Sequence, residues 1–361
     1  MKVILGDVCG DRDNNFNLIR MIAASAVLVS HAHPIGQGIG AEEPLEELVG
    51  RSLGWIAVGV FFAISGFLIA RSFDRARRLS DWFTARAMRL FPALIVVVLL
   101  TAFVLGPLVT ALAVDVYFTN TGVATYIVRN ITLAFLQFDL PGVFADNPYP
   151  GAINGSLWTL IHEVGCYFGV FVIGILGLFK RRIILTLALF AYFGVYWVVG
   201  MPGVVEQVPP MLKNFRDLSL PFAIGIFLYV WRDYIRLSWI ISAVLFAVVV
   251  LMHGRTGFME VFLAWLSYTT FLLAYVPGGF IRKYNSLGDY SYGLYIYSCP
   301  AQQLAVYLFG SMLAWQNVAI AFPAALLCAI ISWYVIESPA LASRHKVADL
   351  LDRMVFRRFS T

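Results

Sequence analysis

The chain has 361 residues, of which 60% are hydrophobic and only 13% charged, with a mean hydropathy of +0.79 and a formal net charge of +5. Soluble domains carry about one-quarter charged residues, so this composition excludes an ordinary soluble enzyme. The positive balance is explained by membrane topology and requires no nucleic acid. Apolar runs of about 17–22 residues are continuous rather than alternating, which selects membrane-spanning helices over a closed barrel.

The N-terminal stretch is polar apart from a short apolar patch, and no small-residue cleavage site follows it. It reads as a cytoplasmic segment, 1–14, and not as a signal peptide. Ten spans are then predicted, at 16–34, 52–71, 90–112, 156–179, 183–200, 216–232, 237–253, 258–277, 288–309 and 316–336. A weaker segment, 121–139, contains Arg129, Asn130, Gln137 and Asp139. It is read as an interfacial or re-entrant helix. With the N-terminus cytoplasmic and ten crossings, all but five of the 26 lysines and arginines fall inside. The exceptions are Arg51, Arg129, Lys213, Arg216 and Arg255. An eleventh crossing would scatter the later cations outside, so the positive-inside rule favours ten spans with both termini cytoplasmic. The expected fold is therefore an all-α polytopic integral membrane protein. Loop 35–51, with Glu42, Glu43, Glu46 and Glu47, reads as a solvated acidic stretch. The transmembrane domain covers 15–339, and 340–361 forms a basic cytoplasmic tail on the inner surface. Cys9, Cys166, Cys299 and Cys328 show neither disulfide nor metal spacing. No metal site is expected.

Charges at membrane depth are costly and mark candidate sites. Arg20 and His31 are eleven positions apart, almost three full helical turns. They share one helix face about 16 Å apart along the axis. Glu163 in the fourth span falls at the same depth as His31. The two could form a general base with its orienting carboxylate, or a buried pair that only locks two helices. His33 and His162 point elsewhere and read as interfacial or packing residues. Arg86 and Arg89, i,i+3 on one face, suit a polyphosphate anion, or serve simply as membrane anchors. Ser65 beside Gly66 reads as close packing. Tyr290 and Tyr292 fit an aromatic belt, whereas Tyr295 is too deep for one and could line a cavity. Glu337 reads as a neutraliser of the basic tail.

As a set, these marks resemble the membrane acyltransferase-3 family, whose members O-acylate bacterial surface polysaccharides and related molecules. The resemblance runs from Asn15 to Pro339. It rests on Arg20-x10-His31, FFAISGFLI at 61–69, Arg86-x-x-Arg89 followed by LFPA, SLWTL with Glu163, GDYSYGLYIY at 288–297 and the WYVIESP ending. It implies His31 as catalytic histidine, with Glu163 and Trp158 in a recurrent motif and Arg20, Arg86 and Arg89 at the donor. Ser65, Trp158, Tyr292 and Tyr295 are candidates for substrate binding or the oxyanion. The implied donor is cytoplasmic acyl-coenzyme A, most often acetyl, as a co-substrate and not a resident cofactor. The implied acceptor is a hydroxyl of a polysaccharide or glycolipid across the bacterial inner membrane. Two positions depart from the family pattern: Asn17 replaces a frequent aspartate, and Ser298 a frequent histidine. No extracytoplasmic hydrolase-like domain is expected. The rival reading is a secondary transporter or glycan exporter with His31 and Glu163 as a proton relay, although no internal repeat supports it.

Overall fold

The computed structural model describes residues 3–10 and 13–357, which are overwhelmingly helical. The longer helices are α1 (Phe16–Gln37), α2 (Leu53–Asp74), α3 (Leu79–Leu100), α4 (Thr121–Thr132), α5 (Trp158–Ile175), α6 (Arg182–Val199), α7 (Pro210–Val230), α8 (Trp239–Met252), α9 (Phe258–Tyr275), α10 (Ser291–Phe309), α11 (Ala314–Ser332) and α12 (Ser338–Arg357). Among the described residues, seven helical runs are long and apolar enough to cross a membrane, and α8 is a shorter apolar helix. Helices α7 and α10 occupy the other two predicted positions, but Lys213, Arg216, Asp217 and the amides of Gln302 and Gln303 lower their hydropathy. Exposed apolar side chains such as Leu187, Phe190, Val244 and Leu251 line α6 and α8, as lipid-facing surfaces require.

The chain divides into two compact units. The first comprises Met1–Arg20, Ala57–Arg75 and His162–Gly288. Within it, α7 packs against α6 and α9, and α8 against α9. Close approach of α2 and α7 is made by two glycines. A Cβ on Gly66 would overlap the Phe222 carbonyl, and one on Gly225 would overlap that of Ala63. Small residues let helix backbones meet where no hydrophobic drive exists. Gly66→Ala therefore meets a backbone atom, which cannot rotate away. The expected overpacking penalty is about 1–3 kcal/mol, read as a reduced monodisperse yield in detergent. Residues 3–10 are anchored to this unit. Val3–Ile4 pairs antiparallel with Arg236–Leu237, Leu5 and Cys9 are buried, and Arg71 donates to the Cys9 carbonyl. This small two-stranded sheet departs from the helical pattern of the chain. Asn15 donates to the carbonyls of Leu273 and Pro277, tying the start of α1 to the end of α9.

The second unit comprises Met21–Ile56, Ala76–Ile161 and Asp289–Thr361. Here α10 packs along α11, α12 along α3, and α4 against α3. Gly36 in α1 lies against the Met312 carbonyl, and Met312 N–H donates to the Gly36 carbonyl at 3.0 Å. The predicted 121–139 segment is a helix only to Thr132, where Leu133 turns left-handed with φ of 58°. The tail forms α12, joined to α11 through a π-helical turn, Trp333–Glu337. Arg78 pairs with Asp81, Asp349 and Asp352, which fixes α12 to the start of α3.

Candidate active site

The predicted site residues fall into three groups. The first surrounds His31 in the second unit. His31 is half-buried on α1, and the preceding Ser30 is wholly buried. Ser30 Oγ accepts the Gly54 N–H at 2.8 Å and donates to the carboxylate of Glu43. Gly54 is the second residue of α2, so its N–H is one of the donors a helix start leaves unpaired. Glu43 thus departs from the expected solvated stretch. Glu42, Glu46 and Glu47 are exposed, whereas Glu43 is half-buried and turned toward α1. One turn before His31, the Leu28 carbonyl accepts from Gln302 Nε2 at 2.8 Å.

Tyr295 and the SLWTL segment also belong to this unit. Thr159 Oγ1 and the Tyr295 hydroxyl share a hydrogen bond of 2.7 Å, both residues being buried. Asn154 Nδ2 donates to the Ile296 carbonyl at 2.9 Å, and Gly155 N–H contacts Cys299 Sγ at 3.3 Å. This segment therefore sits on α10. Trp158 is half-buried, and Ser298, in the place of a family histidine, is wholly buried and donates to the Tyr295 carbonyl.

The second group lies at the start of α10. Arg89 Nη2 is 2.6 Å from Asp289 and Nη1 is 3.4 Å from Glu337, whose side chain is 1% exposed. Ser291 donates to Asp289 at 2.5 Å and Ser332 to Glu337 at 3.0 Å. The Arg89 guanidinium lies 5.7 Å from the ring centre of Tyr292 and 5.8 Å from that of Trp333. Tyr292 in turn donates to the Leu90 carbonyl at 2.8 Å. Glu337 is therefore not a neutraliser of the tail: it is a buried partner of Arg89. The π-helical turn helps aim it inward, a distortion often found at functional sites. Arg86 is half-buried one turn before Arg89.

The third group is in the first unit. Glu163 accepts from Ser65 Oγ at 3.1 Å and from the Tyr167 hydroxyl at 2.5 Å. Ser65 is thus a ligand of Glu163 as well as part of a close-packed helix face. Tyr167 follows Glu163 by four residues, the spacing at which helix side chains meet. His162 is buried beside Phe215, as a packing histidine should be. Arg20 is half-buried in this unit, on the same unbroken helix that carries His31. Among the described residues, no group of three or more His, Cys, Asp or Glu side chains could hold a metal.

The acyltransferase-domain model of the acyltransferase-3 family matches residues 13–337. The chain belongs to the acyltransferase-3 family. It is an enzyme of the acyltransferase type built on multiple apolar helices. An O-acetyl transferase of Shigella phage Sf6 is 30% identical over 340 residues, covering 90% of this chain and 95% of the phage protein. Nodulation protein 10 of Rhizobium leguminosarum bv. viciae is 25% identical over 356 residues, covering 92% and 94% of the two chains. No solved structure matches the chain.

Proposed function

We propose that this acyltransferase moves an acyl group, acetyl by analogy with the phage relative, from acyl-coenzyme A to a hydroxyl on an exported polysaccharide or glycolipid. In this reading ten helices cross the bacterial inner membrane with both termini cytoplasmic. The donor enters from the cytoplasm at Arg86 and Arg89, with Arg20 about three turns along α1 from His31, where the acceptor arrives. Arg86 and Arg89 supply cations for the donor phosphates, and the pairing of Arg89 with Asp289 and Glu337 holds the shape of the entrance. His31 takes the hydroxyl proton as the oxygen attacks the thioester carbonyl. The carbon–oxygen bond forms and the carbon–sulfur bond breaks. The departing thiolate recovers the proton from the imidazolium. Tyr295 and Thr159 share one hydroxyl proton between them, which leaves the pair one hydroxyl donor for the oxyanion. Within the second unit, Trp158 and Tyr292 frame the path.

The observation that carries this reading is the single helix α1. It holds a cation at Arg20 and a half-buried imidazole eleven residues on without interruption. Mass spectrometry of surface glycans from wild-type and deletion strains tests it. The deletion is expected to remove one acyl mass from one glycan, and a plasmid copy to restore it. Identical glycan spectra would refute the acceptor class.

A further inference from the structure

Loop 38–52 is built to carry one carboxylate inward. Its backbone is tied at several points around Glu43. Glu43 N–H donates to the Glu46 carboxylate at 3.2 Å, and the Pro44 carbonyl accepts from Leu53 N–H at 2.7 Å. Leu45 adopts a left-handed conformation, φ 71°, which a leucine takes only when its surroundings impose it. Three of the four loop glutamates are left exposed and Glu43 is turned in. Its carboxylate rests on Ser30, the residue before His31, and Ser30 is itself held by Gly54 at the start of α2. The positive end of the α2 dipole favours an ionised carboxylate there. A Cβ on Gly54 would stand 3.1 Å from Ser30 Oγ and 3.8 Å from Glu43 Oε2, so a side chain there would press on Ser30.

From the Glu43–Ser30–Gly54 junction we infer that Glu43 is the positioning carboxylate of His31, steadying the imidazolium that forms as the acceptor hydroxyl loses its proton. The inference rests on the acyl-transfer reading above. It gives His31 a carboxylate within its own unit. A charge that matters only when the imidazole is protonated acts in the transition state. Its loss lowers kcat and kcat/KM together and leaves KM for the donor unchanged.

The test is Glu43→Gln in the full-length chain in membranes, with acetyl-coenzyme A and the acceptor-bearing membranes as substrates. Glutamine keeps the size and can still accept from Ser30, so it removes charge alone. Against wild type, at equal amounts of folded protein, kcat is expected to fall by at least about tenfold at unchanged donor KM. Glu43→Asp, which restores the charge, should recover part of it. Should Glu43→Gln not accumulate, Ser30→Ala decides, because it removes the tether and keeps the carboxylate; kcat should again fall. Full kcat in Glu43→Gln, or in Ser30→Ala if that variant must decide, overturns the inference. His31→Ala measured alongside separates the two claims. An inactive His31→Ala with a fully active Glu43→Gln sinks only the role of Glu43. An active His31→Ala sinks the underlying reading.

Discussion

A His31→Ala chain is expected to insert and accumulate like the wild type and to lose acyl transfer by about 10²–10⁴-fold, the usual contribution of a positioned general base. Alanine is the best helix former, so α1 loses no propensity. The contacts that fix α1 near this point do not use the imidazole. Gln302 reaches the Leu28 carbonyl, Met312 the Gly36 carbonyl, and Ser30 its own two partners. The substitution therefore removes chemistry and leaves packing. Initial rates at equal folded amounts, with detergent-extracted monodispersity as the folding control, make the comparison. Retained activity within a few-fold would show that another group takes the proton.

Arg89→Ala is expected to act in the opposite manner, on folding before chemistry. The guanidinium is the counter-ion of both Asp289 and Glu337, and each carboxylate has a serine donor besides. Removing it leaves two carboxylates close together at a buried site. Breaking a buried ion pair on one side costs about 3–5 kcal/mol, whereas removing all partners can be nearly neutral. Arg89→Ala should therefore accumulate poorly, and Arg89→Ala combined with Asp289→Asn and Glu337→Gln should recover. Arg89→Lys keeps the charge but loses the fork that reaches both acids, and should fall between. The measurement is thermal unfolding in detergent. Equal stability of the single and triple variants would contradict the buried-cluster account.

What was legible in the sequence was local. The predicted spans coincide with helices because apolar length and loop charge are properties of contiguous residues. His162 lies beside Phe215; its angle on the helix already turned it away from the Glu163 face. The Tyr167–Glu163 bond obeys i,i+4 spacing and could have been read directly. What was not legible depends on residues far apart in the chain. Arg89 meets Asp289 from just before α10 and Glu337 from the π-helical turn after α11, and no spacing rule connects them. The inward turn of Glu43 rests on a left-handed Leu45 and on Gly54 in the next helix. From sequence it was one of four similar glutamates in a polar loop. The N-terminal strand pairs with Arg236–Leu237, a partner more than two hundred residues on, so it too had no local signature.

The most direct test of acyl transfer across the membrane is a sided one. Inverted vesicles carrying the protein and its acceptor, given labelled acetyl-coenzyme A at the cytoplasmic face, should place label in an alkali-labile ester on material inside the vesicle. His31→Ala vesicles should not. Solute accumulation or efflux without covalent label, unchanged in His31→Ala vesicles, would contradict the account.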